Sequence, residues 1–266
     1  MRVFYTKKMV AGGRRSSPSA SKPERVVNDW IRQGLNIEIV KPKPASISTI
    51  LQAHDVEYVR RVLTGEKMNG FGDFGQDVID ALPYVVGSVV DAVKYSLKTG
   101  KNACAPVSGA HHAGYDFGGG FCTLNFLIIA AIEARNAGAK TIGIYDGDAH
   151  HANGTLQIID KLKISWIKHR QRDWGLKYYS LGLQMKDFIG CDLIIYQAGA
   201  DALRGDPLGA GYLTIEQLRQ RDRIVFRSAR AMDIPVVWVC AGGYSDDDTV
   251  VKIHRATAEE CISVEK

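Results

Sequence analysis

Carboxylates and imidazoles alternate directly after an apolar segment near the middle of the chain. Residues 141–145 read TIGIY, which is typical of a buried parallel strand, and Asp146, Asp148 and His150 follow at every second position. In extended backbone such residues project to the same side, so two oxygens and one nitrogen could converge on a cation such as zinc. A polar, solvated loop with chance histidines is the alternative, but loops rarely concentrate ligand types at alternating spacing.

Another aspartate follows an apolar segment in the same way. Residues 192–196 (DLIIY) open into residues 197–201 (QAGAD), which end at Asp201. Because catalytic zinc typically takes three protein ligands and keeps one position for water, Asp148, His150 and Asp201 would make a complete set. Asp201 by itself could equally be a helix N-cap or a turn aspartate.

Two further segments contain groups that are suited to proton transfer and oxyanion binding. His111 and His112 lie in the glycine-rich segment SGAHHAGYDFGGGFC, and a histidine can act as base and as acid near neutral pH. Tyr244 follows two glycines after a strand-like segment, so its hydroxyl could reach a carbonyl oxygen and stabilise an oxyanion. The alternatives are a pair of structural histidines and a turn with a packed ring.

These residues can meet only if the elements around them form a parallel sheet. Strand-like and helical patterns alternate along the chain, which predicts an α/β fold: a single domain over residues 1–266, with a mostly parallel sheet and helices on both faces. The loops at the carboxyl ends of the strands would then share one edge of the sheet. The predicted strands are 2–5, 36–40, 102–106, 141–145, 164–167, 192–196 and 235–239, and the predicted helices include 24–33, 54–63, 81–99, 125–136, 156–162, 214–232 and 249–261. In helix 54–63, the spacing predicts one apolar face of Val56, Val59 and Leu63.

Composition narrows the class of protein. A chain of 266 residues with 45% hydrophobic content suits a packed globule, and its longest apolar stretches are too short to span a bilayer. With no signal-like N-terminus and five cysteines that form no C-x-x-C pair, we expect a cytoplasmic protein without a membrane segment or disulfides. The net charge is +5, but the basic runs are scattered and lack interleaved aromatic residues, which argues against nucleic-acid binding.

Taken in order, the motifs resemble those of a known family. The segments SGAHHAGYDFGGGFCTLN, YDGDAHHANGT, AGADALRGDPLG and AGGY are similar to those of zinc-dependent histone deacetylases and acetylpolyamine amidohydrolases, in a shortened form of the bacterial class II-like members. PERV at Pro23 and HDVEYVRRVL at His54 resemble the N-terminal half of the same family. The resemblance covers most of the chain and implies the arginase-deacetylase fold.

The resemblance implies a role for each residue of the site. Asp148, His150 and Asp201 match the family's ligands for one zinc ion per chain, and His112 matches the general base and acid. Tyr244 matches the tyrosine that polarises the scissile carbonyl. The remaining matches are to positions that brace the two histidines, Asp146 for His111 and Asn153 for His112, and to positions that line the substrate tunnel or its rim, Gly120, Phe121, Leu208 and Asp73.

The implied activity is metal-dependent removal of acetyl or another short acyl group from an acylated amine, either a lysine side chain or a small molecule such as an acetylpolyamine. The segment 168–182 lacks the family's aromatic- and glycine-rich loop, so we expect a more open pocket. The resemblance also leaves room for a potassium ion, to which Asp146, Asp148 and His150 could contribute. A catalytically silent binder of acyl ligands and a binuclear manganese ureohydrolase remain as alternatives, and a homo-oligomer is left open.

Overall fold

Seven short strands form one parallel sheet in the residues that the structure, a computed structural model, describes: 1–12, 17–171, 181–209 and 211–265. The strands are β1 (Arg2–Phe4), β2 (Glu38–Val40), β3 (Ala103–Ala105), β4 (Ile142–Asp146), β5 (Ile167–Gln171), β6 (Leu193–Gln197) and β7 (Val236–Val239). Their order across the sheet is β2-β1-β3-β7-β6-β4-β5, and every neighbouring pair is parallel. The predicted α/β class is therefore confirmed.

Helices connect these strands. They are α1 (Lys22–Arg32), α2 (Ile47–Ile50), α3 (Val56–Leu63), α4 (Gln76–Thr99), α5 (Phe126–Asn136), α6 (Asn153–Lys161), α7 (Leu181–Met185), α8 (Ile215–Ala231) and α9 (Asp247–Ser263). Side-chain caps fix several of their starts: Asn125 accepts a hydrogen bond from Ile128 N at α5, and Thr214 and Gln217 form a reciprocal capping box at α8. No helix in these ranges is long and apolar enough to cross a membrane.

The core lies on both sides of the central strands. Every residue of β4, β6 and β7 is buried, although successive side chains of a strand point to opposite faces. Both faces of the sheet are therefore covered, which explains why these strands read as continuous apolar runs rather than alternating ones. On one face Trp238 of β7 packs against Trp30 of α1, with ring centroids 5.5 Å apart.

Strand β5 is where the sequence prediction fails most clearly. The predicted strand was 164–167, whereas the observed one is Ile167–Gln171, with the sequence IKHRQ. β5 lies at the edge of the sheet and pairs with β4, so its Lys168 and Arg170 can point into solvent. Charged residues are common on edge strands, and here they hide the apolar signature of a strand.

Three helix predictions are also corrected. In α3 the buried residues are Tyr58, Val59 and Val62, while Val56 is 64% exposed, because Asp55 caps the helix and Val56 begins its first turn. Helix α4 begins at Gln76, before the predicted start at 81, and continues through Pro83. Helix α6 begins at Asn153 rather than at 156.

Candidate active site

Four adjacent strands, β3, β7, β6 and β4, bring their carboxyl-end loops together at one edge of the sheet. Backbone hydrogen bonds tie these loops to one another: Gly147 N donates to Gln197 O at 2.9 Å, and Ala200 N donates to Gly242 O at 2.8 Å. The loop after β3 holds the tandem histidines, and the other three hold the aspartates, His150 and Tyr244. The predicted meeting of the polar loops thus follows directly from the order of the strands.

Asp148, His150 and Asp201 form a compact group of ligand-type side chains, whose ligand atoms all lie within 4.8 Å of one another. His150 Nδ1 is 3.1 Å from Asp148 Oδ1 and 2.9 Å from Asp201 Oδ2. On the other side of the ring, His150 Nε2 donates to the carbonyl of Leu208 at 2.8 Å. A carbonyl can only accept, so Nε2 carries a proton, and Nδ1, which faces the two carboxylates, is the nitrogen that a metal could take in place of its proton.

Backbone amides fix the orientation of both carboxylates. Asp148 Oδ2 accepts from Gly242 N at 2.9 Å, and Asp201 Oδ1 accepts from Ala149 N at 3.1 Å. A Cβ atom on Gly242 would lie 2.5 Å from Asp148 Oδ2 and 2.6 Å from Asp201 Oδ2. The backbone must approach the carboxylates this closely, so only glycine fits at this position.

The charges in this group favour a small divalent cation. Burial and the neighbouring charge of Asp148 raise the pKa of Asp201 to about 7, and the hydrogen bonds that a protonated His150 donates to Asp148 and Asp201 raise the pKa of His150 to about 11. Two buried carboxylates side by side repel each other unless a cation lies between them. Carboxylate oxygens and imidazole nitrogen are both ligand types that zinc binds, and three protein ligands are the usual number in catalytic zinc sites.

The tandem histidines are held by different partners and differ in charge. His111 Nδ1 is 2.8 Å from Asp146 Oδ2, and His112 Nδ1 is 2.6 Å from Asn153 Oδ1. Burial opposes the charge of His111, but the carboxylates of Asp146 and Asp148 outweigh it and raise the pKa of His111 to about 9. Burial and the charge of His111 lower the pKa of His112. At neutral pH, His111 is therefore a cation and His112 a neutral base.

Asp146 supports the site without joining the group of ligand-type side chains. Its Oδ1 accepts from Asp148 N at 3.0 Å and from Gln197 Nε2 at 3.0 Å, while its Oδ2 faces His111. The first hypothesis from alternation, in which Asp146, Asp148 and His150 converge, is therefore wrong for Asp146. The sequence analysis also missed Gln197, whose only signal is that a polar residue ends an apolar strand opposite Asp146.

Tyr244 lies beside the group and keeps its proton. Its ring centroid is 6.4 Å from that of His150 and 5.5 Å from that of Phe121. Burial and the charge of Asp148 raise the pKa of Tyr244, so the phenol is a hydrogen-bond donor at any physiological pH. Asp206 accepts from Tyr244 N at 2.8 Å and thereby positions the tyrosine backbone.

A buried lysine also contacts the Tyr244 loop and was not predicted. Lys22 Nζ donates to the carbonyl of Ala241 at 2.5 Å and lies 5.9 Å from the centroid of the Tyr244 ring. Ala241 has a φ of 58°, a left-handed conformation that is uncommon for a residue with a side chain. Lys22 thus holds the carbonyl of a residue that adopts this left-handed conformation. Nothing in the sequence around Lys22, which directly precedes the PERV segment, indicates this contact.

The residues predicted to line the tunnel lie in different surroundings. Phe121 packs with its ring centroid 5.7 Å from Phe71, and a Cβ on Gly120 would lie 2.4 Å from His112 Cδ2. The Leu208 side chain is 47% exposed, and its backbone carbonyl is the group that contacts His150. The Asp73 carboxylate accepts from Gly75 N at 2.9 Å and therefore folds back onto its own loop.

The described residues test neither the more open pocket expected from segment 168–182 nor the potassium ion. Most of that segment, residues 172–180, lies outside the described residues, so the more open pocket stays a prediction. Gln171 Nε2 donates to the carbonyl of His150, one of the groups that the resemblance would offer to potassium. The possible potassium ion stays a prediction.

Comparison with known proteins agrees with the geometry of the site. A family model described as the histone deacetylase domain matches residues 18–167 and 179–260. An uncharacterized protein of Picosynechococcus sp. is 28% identical over 257 residues, which covers 84% of this chain and 85% of that protein. A probable deacetylase of Archaeoglobus fulgidus is 32% identical over 141 residues, which covers 51% of this chain and 39% of that protein.

A solved structure shares the fold. The crystal structure of HDA15 HD domain matches with a TM-score of 0.82 at 19% identity, covering 98% of this chain and 88% of that one. The family model covers most of the sequence, and the residues it spans form the loops in which His111, Asp148 and Asp201 meet. The chain therefore belongs to the histone deacetylase family of hydrolases.

Proposed function

We propose that this deacetylase is a zinc-dependent amidohydrolase that removes acetyl or another short acyl group from an amine. One observation carries the proposal: the Asp-His-Asp group, a neutral imidazole and a protonated phenol surround the same small space. The ring centroid of His150 is 5.7 Å from that of His112 and 6.4 Å from that of Tyr244. Amide hydrolysis needs these three components, namely a Lewis acid site, a base that becomes an acid, and an oxyanion donor.

One zinc ion per chain would be held by Asp148, His150 Nδ1 and Asp201. Zinc bound there would polarise the amide carbonyl and lower the pKa of a water molecule. The contact from His150 Nε2 to Leu208 O keeps the ring in the tautomer that can bind a metal through Nδ1. The amides of Gly242 and Ala149 hold the two carboxylates so that they need little rearrangement.

His112 would move the proton. Asn153 Oδ1 can only accept, so the neutral ring carries its proton on Nδ1 and leaves Nε2 free to take a proton from the attacking water. As the new C–O bond forms and the C–N bond breaks, the same nitrogen returns that proton to the leaving amine. His111 remains an imidazolium throughout, because the carboxylate of Asp146 holds its proton.

Tyr244 would donate its phenolic proton in a hydrogen bond to the carbonyl oxygen as negative charge develops there. Its raised pKa means that the hydroxyl donates without losing the proton. Asp206 fixes the backbone of this residue, and Lys22 fixes the carbonyl of Ala241 three residues earlier. The loop therefore presents the hydroxyl in a preorganised position, as oxyanion stabilisation requires.

The geometry favours this function over the two alternatives. A binuclear manganese site needs carboxylates in addition to those of Asp148 and Asp201. The Asp146 carboxylate does not serve, because it is already hydrogen-bonded to His111 and Gln197. A catalytically silent binder does not require a neutral His112 next to a cationic His111, and it does not require the buried phenol of Tyr244. The amine could still belong to a lysine side chain, a polyamine or another small molecule.

Replacing Tyr244 with Phe tests the function most sharply, because it removes one hydroxyl and keeps the ring contacts with Phe121 and His150. We expect kcat on an acetylated amine to fall by about a hundredfold or more, while zinc content and KM change little. Steady-state kinetics on acetyl-lysine and acetylpolyamine substrates would measure this. A zinc-loaded parent that hydrolyses neither class, or a Tyr244→Phe variant as active as the parent, would refute the proposal.

A further inference from the structure

A buried lysine lies directly behind the Tyr244 loop, and the mechanism described above uses only its hydrogen bond. Lys22 begins α1, is 1% exposed and donates through its ammonium to the carbonyl of Ala241. No carboxylate of the described residues lies within ion-pair distance of it. His254 of α9, which also faces Lys22, stays neutral because burial and the charge of Lys22 lower its pKa. Burying a charge in this way is costly unless other charges compensate it.

The charges that compensate Lys22 belong to the proposed zinc ligands. Burial lowers the pKa of Lys22, and the negative charges of Asp201 and Asp148 oppose that shift. The centroid of the Tyr244 ring lies 5.9 Å from Lys22 Nζ. Because Lys22, Asp148 and Asp201 are all buried, water screens these interactions less than it does at the surface. The ammonium is therefore an electrostatic neighbour of both the metal site and the oxyanion donor.

The hydrogen bond to Ala241 does not by itself require a charge. Ser108 Oγ, a neutral group, donates to the same carbonyl at 3.4 Å, so a neutral donor could also hold Ala241 in its left-handed conformation. A positive charge adds two effects that a neutral donor lacks. It stabilises the negative charge that develops on the substrate's carbonyl oxygen beside Tyr244, and it repels a metal cation bound by Asp148 and Asp201.

We propose that Lys22 is a positioning residue whose positive charge strengthens oxyanion binding through Tyr244 and, at the same time, weakens zinc binding by Asp148 and Asp201. The proposal rests on the proposed function, because it concerns the same zinc site and the same oxyanion donor. Removing the charge should therefore lower kcat and tighten zinc binding. Loss of a merely structural contact would instead loosen the loop whose Gly242 amide orients Asp148, so that kcat and zinc affinity would fall together.

Zinc titration tests the effect of the charge without any substrate. The full chain and its Lys22→Met variant would be titrated with zinc against a competing chelator. We expect Lys22→Met to bind zinc about threefold or more tightly than the parent, because a cation near the metal site has been removed. Lys22→Gln, which keeps a neutral donor, should show the same gain. Zinc binding that is unchanged or weaker in the variants that remain folded would overturn the proposal.

Steady-state kinetics on an acetylated amine, at saturating zinc, test the effect on the reaction. We expect kcat of Lys22→Met and Lys22→Gln to fall by about tenfold or more and KM to change by less than about threefold, because the charge acts on the developing oxyanion rather than on bound substrate. In a Tyr244→Phe background, Lys22→Met should lower kcat by less than about threefold, since the donor through which it acts is gone. An unchanged kcat, or fully additive effects of the two substitutions, would overturn the proposal.

Lys67→Met is the matched control. Lys67 Nζ donates to the carbonyl of Asp116 at 3.1 Å and lies 4.9 Å from the centroid of the Tyr58 ring, so it makes the same two kinds of contact as Lys22. Its ammonium is exposed, and water therefore screens its charge. We expect zinc affinity and kcat of Lys67→Met to stay within about twofold of the parent values. Changes equal to those of Lys22→Met would contradict the role of the buried charge.

The outcomes separate this proposal from the proposed function. A parent that hydrolyses acetylated amines, with Lys22 variants that bind zinc no more tightly than it does, would remove the role of the charge and leave the amidohydrolase intact. A zinc-loaded parent that hydrolyses no acylated amine would refute the function, and the role of Lys22 in oxyanion binding with it. Thermal melting identifies a variant that has simply lost its fold, and the other Lys22 variant then decides.

Discussion

Asn153 contacts His112 through an amide oxygen, where His111 has the carboxylate of Asp146. The carboxylate helps to keep His111 a cation, whereas burial and the charge of His111 keep His112 neutral. Changing Asn153 to Asp would place a negative charge within hydrogen-bond distance of His112 and raise its pKa. Because His112 acts as a base only when neutral, the ascending limb of kcat/KM against pH should move to higher pH.

A pH–rate profile of Asn153→Asp and of the parent, at equal zinc content, would measure this shift. His112→Ala serves as the reference: it should lose activity by about a hundredfold or more while it keeps its metal, because the ring is not among the proposed ligands. An ascending limb that stays in place in Asn153→Asp would show that His112 is not the titrating base.

The neighbouring histidines 150 and 151 give a clean test of the metal ligands. His150 faces Asp148 and Asp201, whereas the His151 side chain is exposed. We expect His150→Ala and Asp201→Ala to lose bound zinc and activity together, since each removes one of three ligands. His151→Ala should keep at least most of its zinc. Metal analysis of the purified proteins would decide, and full zinc in Asp201→Ala would rule out the assigned ligand set.

Helix α8 contributes no residue to the reaction, yet it holds two of the active-site loops together. Arg221 Nη1 donates to the carbonyl of Gly147 at 3.0 Å and to that of Gly199 at 2.7 Å, which are the loops after β4 and β6. The same guanidinium pairs with buried Asp222, which also accepts from Thr257 Oγ1 at 2.6 Å. The distance between the loops that carry Asp148 and Asp201 therefore depends on the Arg221 guanidinium of α8.

Arg221→Met should lower the free energy of unfolding by about 3–5 kcal/mol, because it leaves Asp222 buried without its cationic partner. Zinc affinity should fall as well, since the loops that carry Asp148 and Asp201 lose their common anchor. Urea denaturation and zinc titration would measure the two effects. Arg227→Met, on the exposed side of the same helix, should change stability by no more than about 0.5 kcal/mol. Equal effects of the two substitutions would contradict this role.

The sequence predicts a feature well when the residues that indicate it are neighbours in the chain. Strands β4, β6 and β7 were predicted to within one residue, because strands buried on both faces read as unbroken apolar runs. Asp148, His150 and Asp201 were predicted because they follow such runs within a few residues, whereas the tandem histidines and Tyr244 were predicted from the glycine-rich segments that contain them. Gln197, Asp206, Lys22 and Arg221 act on partners far away in the chain, so nothing next to them in sequence indicates their contacts. The contact between the Leu208 carbonyl and His150 could not be predicted, because every residue type carries a backbone carbonyl.

At the scale of the whole molecule, metal binding should be coupled to folding. The three proposed ligands belong to loops after β4 and β6, which approach one another only in the folded sheet. Zinc at a hundred times its dissociation constant should therefore stabilise the protein by about 2.7 kcal/mol. Thermal melting with and without zinc would show a higher midpoint for the parent. Asp201→Ala is the control, and an equal shift in that variant would mean that zinc acts elsewhere.

The position of β7 has a consequence for the order in which the molecule is made. It is the last strand along the described chain, but it lies in the middle of the sheet, between β3 and β6. While the chain is being synthesised, the edges of β3 and β6 that face β7 stay unpaired until residues 236–239 are made, so the sheet can close only late. The amide that holds Asp148 and the phenol of Tyr244 follow β7 within a few residues. The active site is therefore completed only when the sheet closes. A nascent chain cannot hydrolyse amides before its fold is complete.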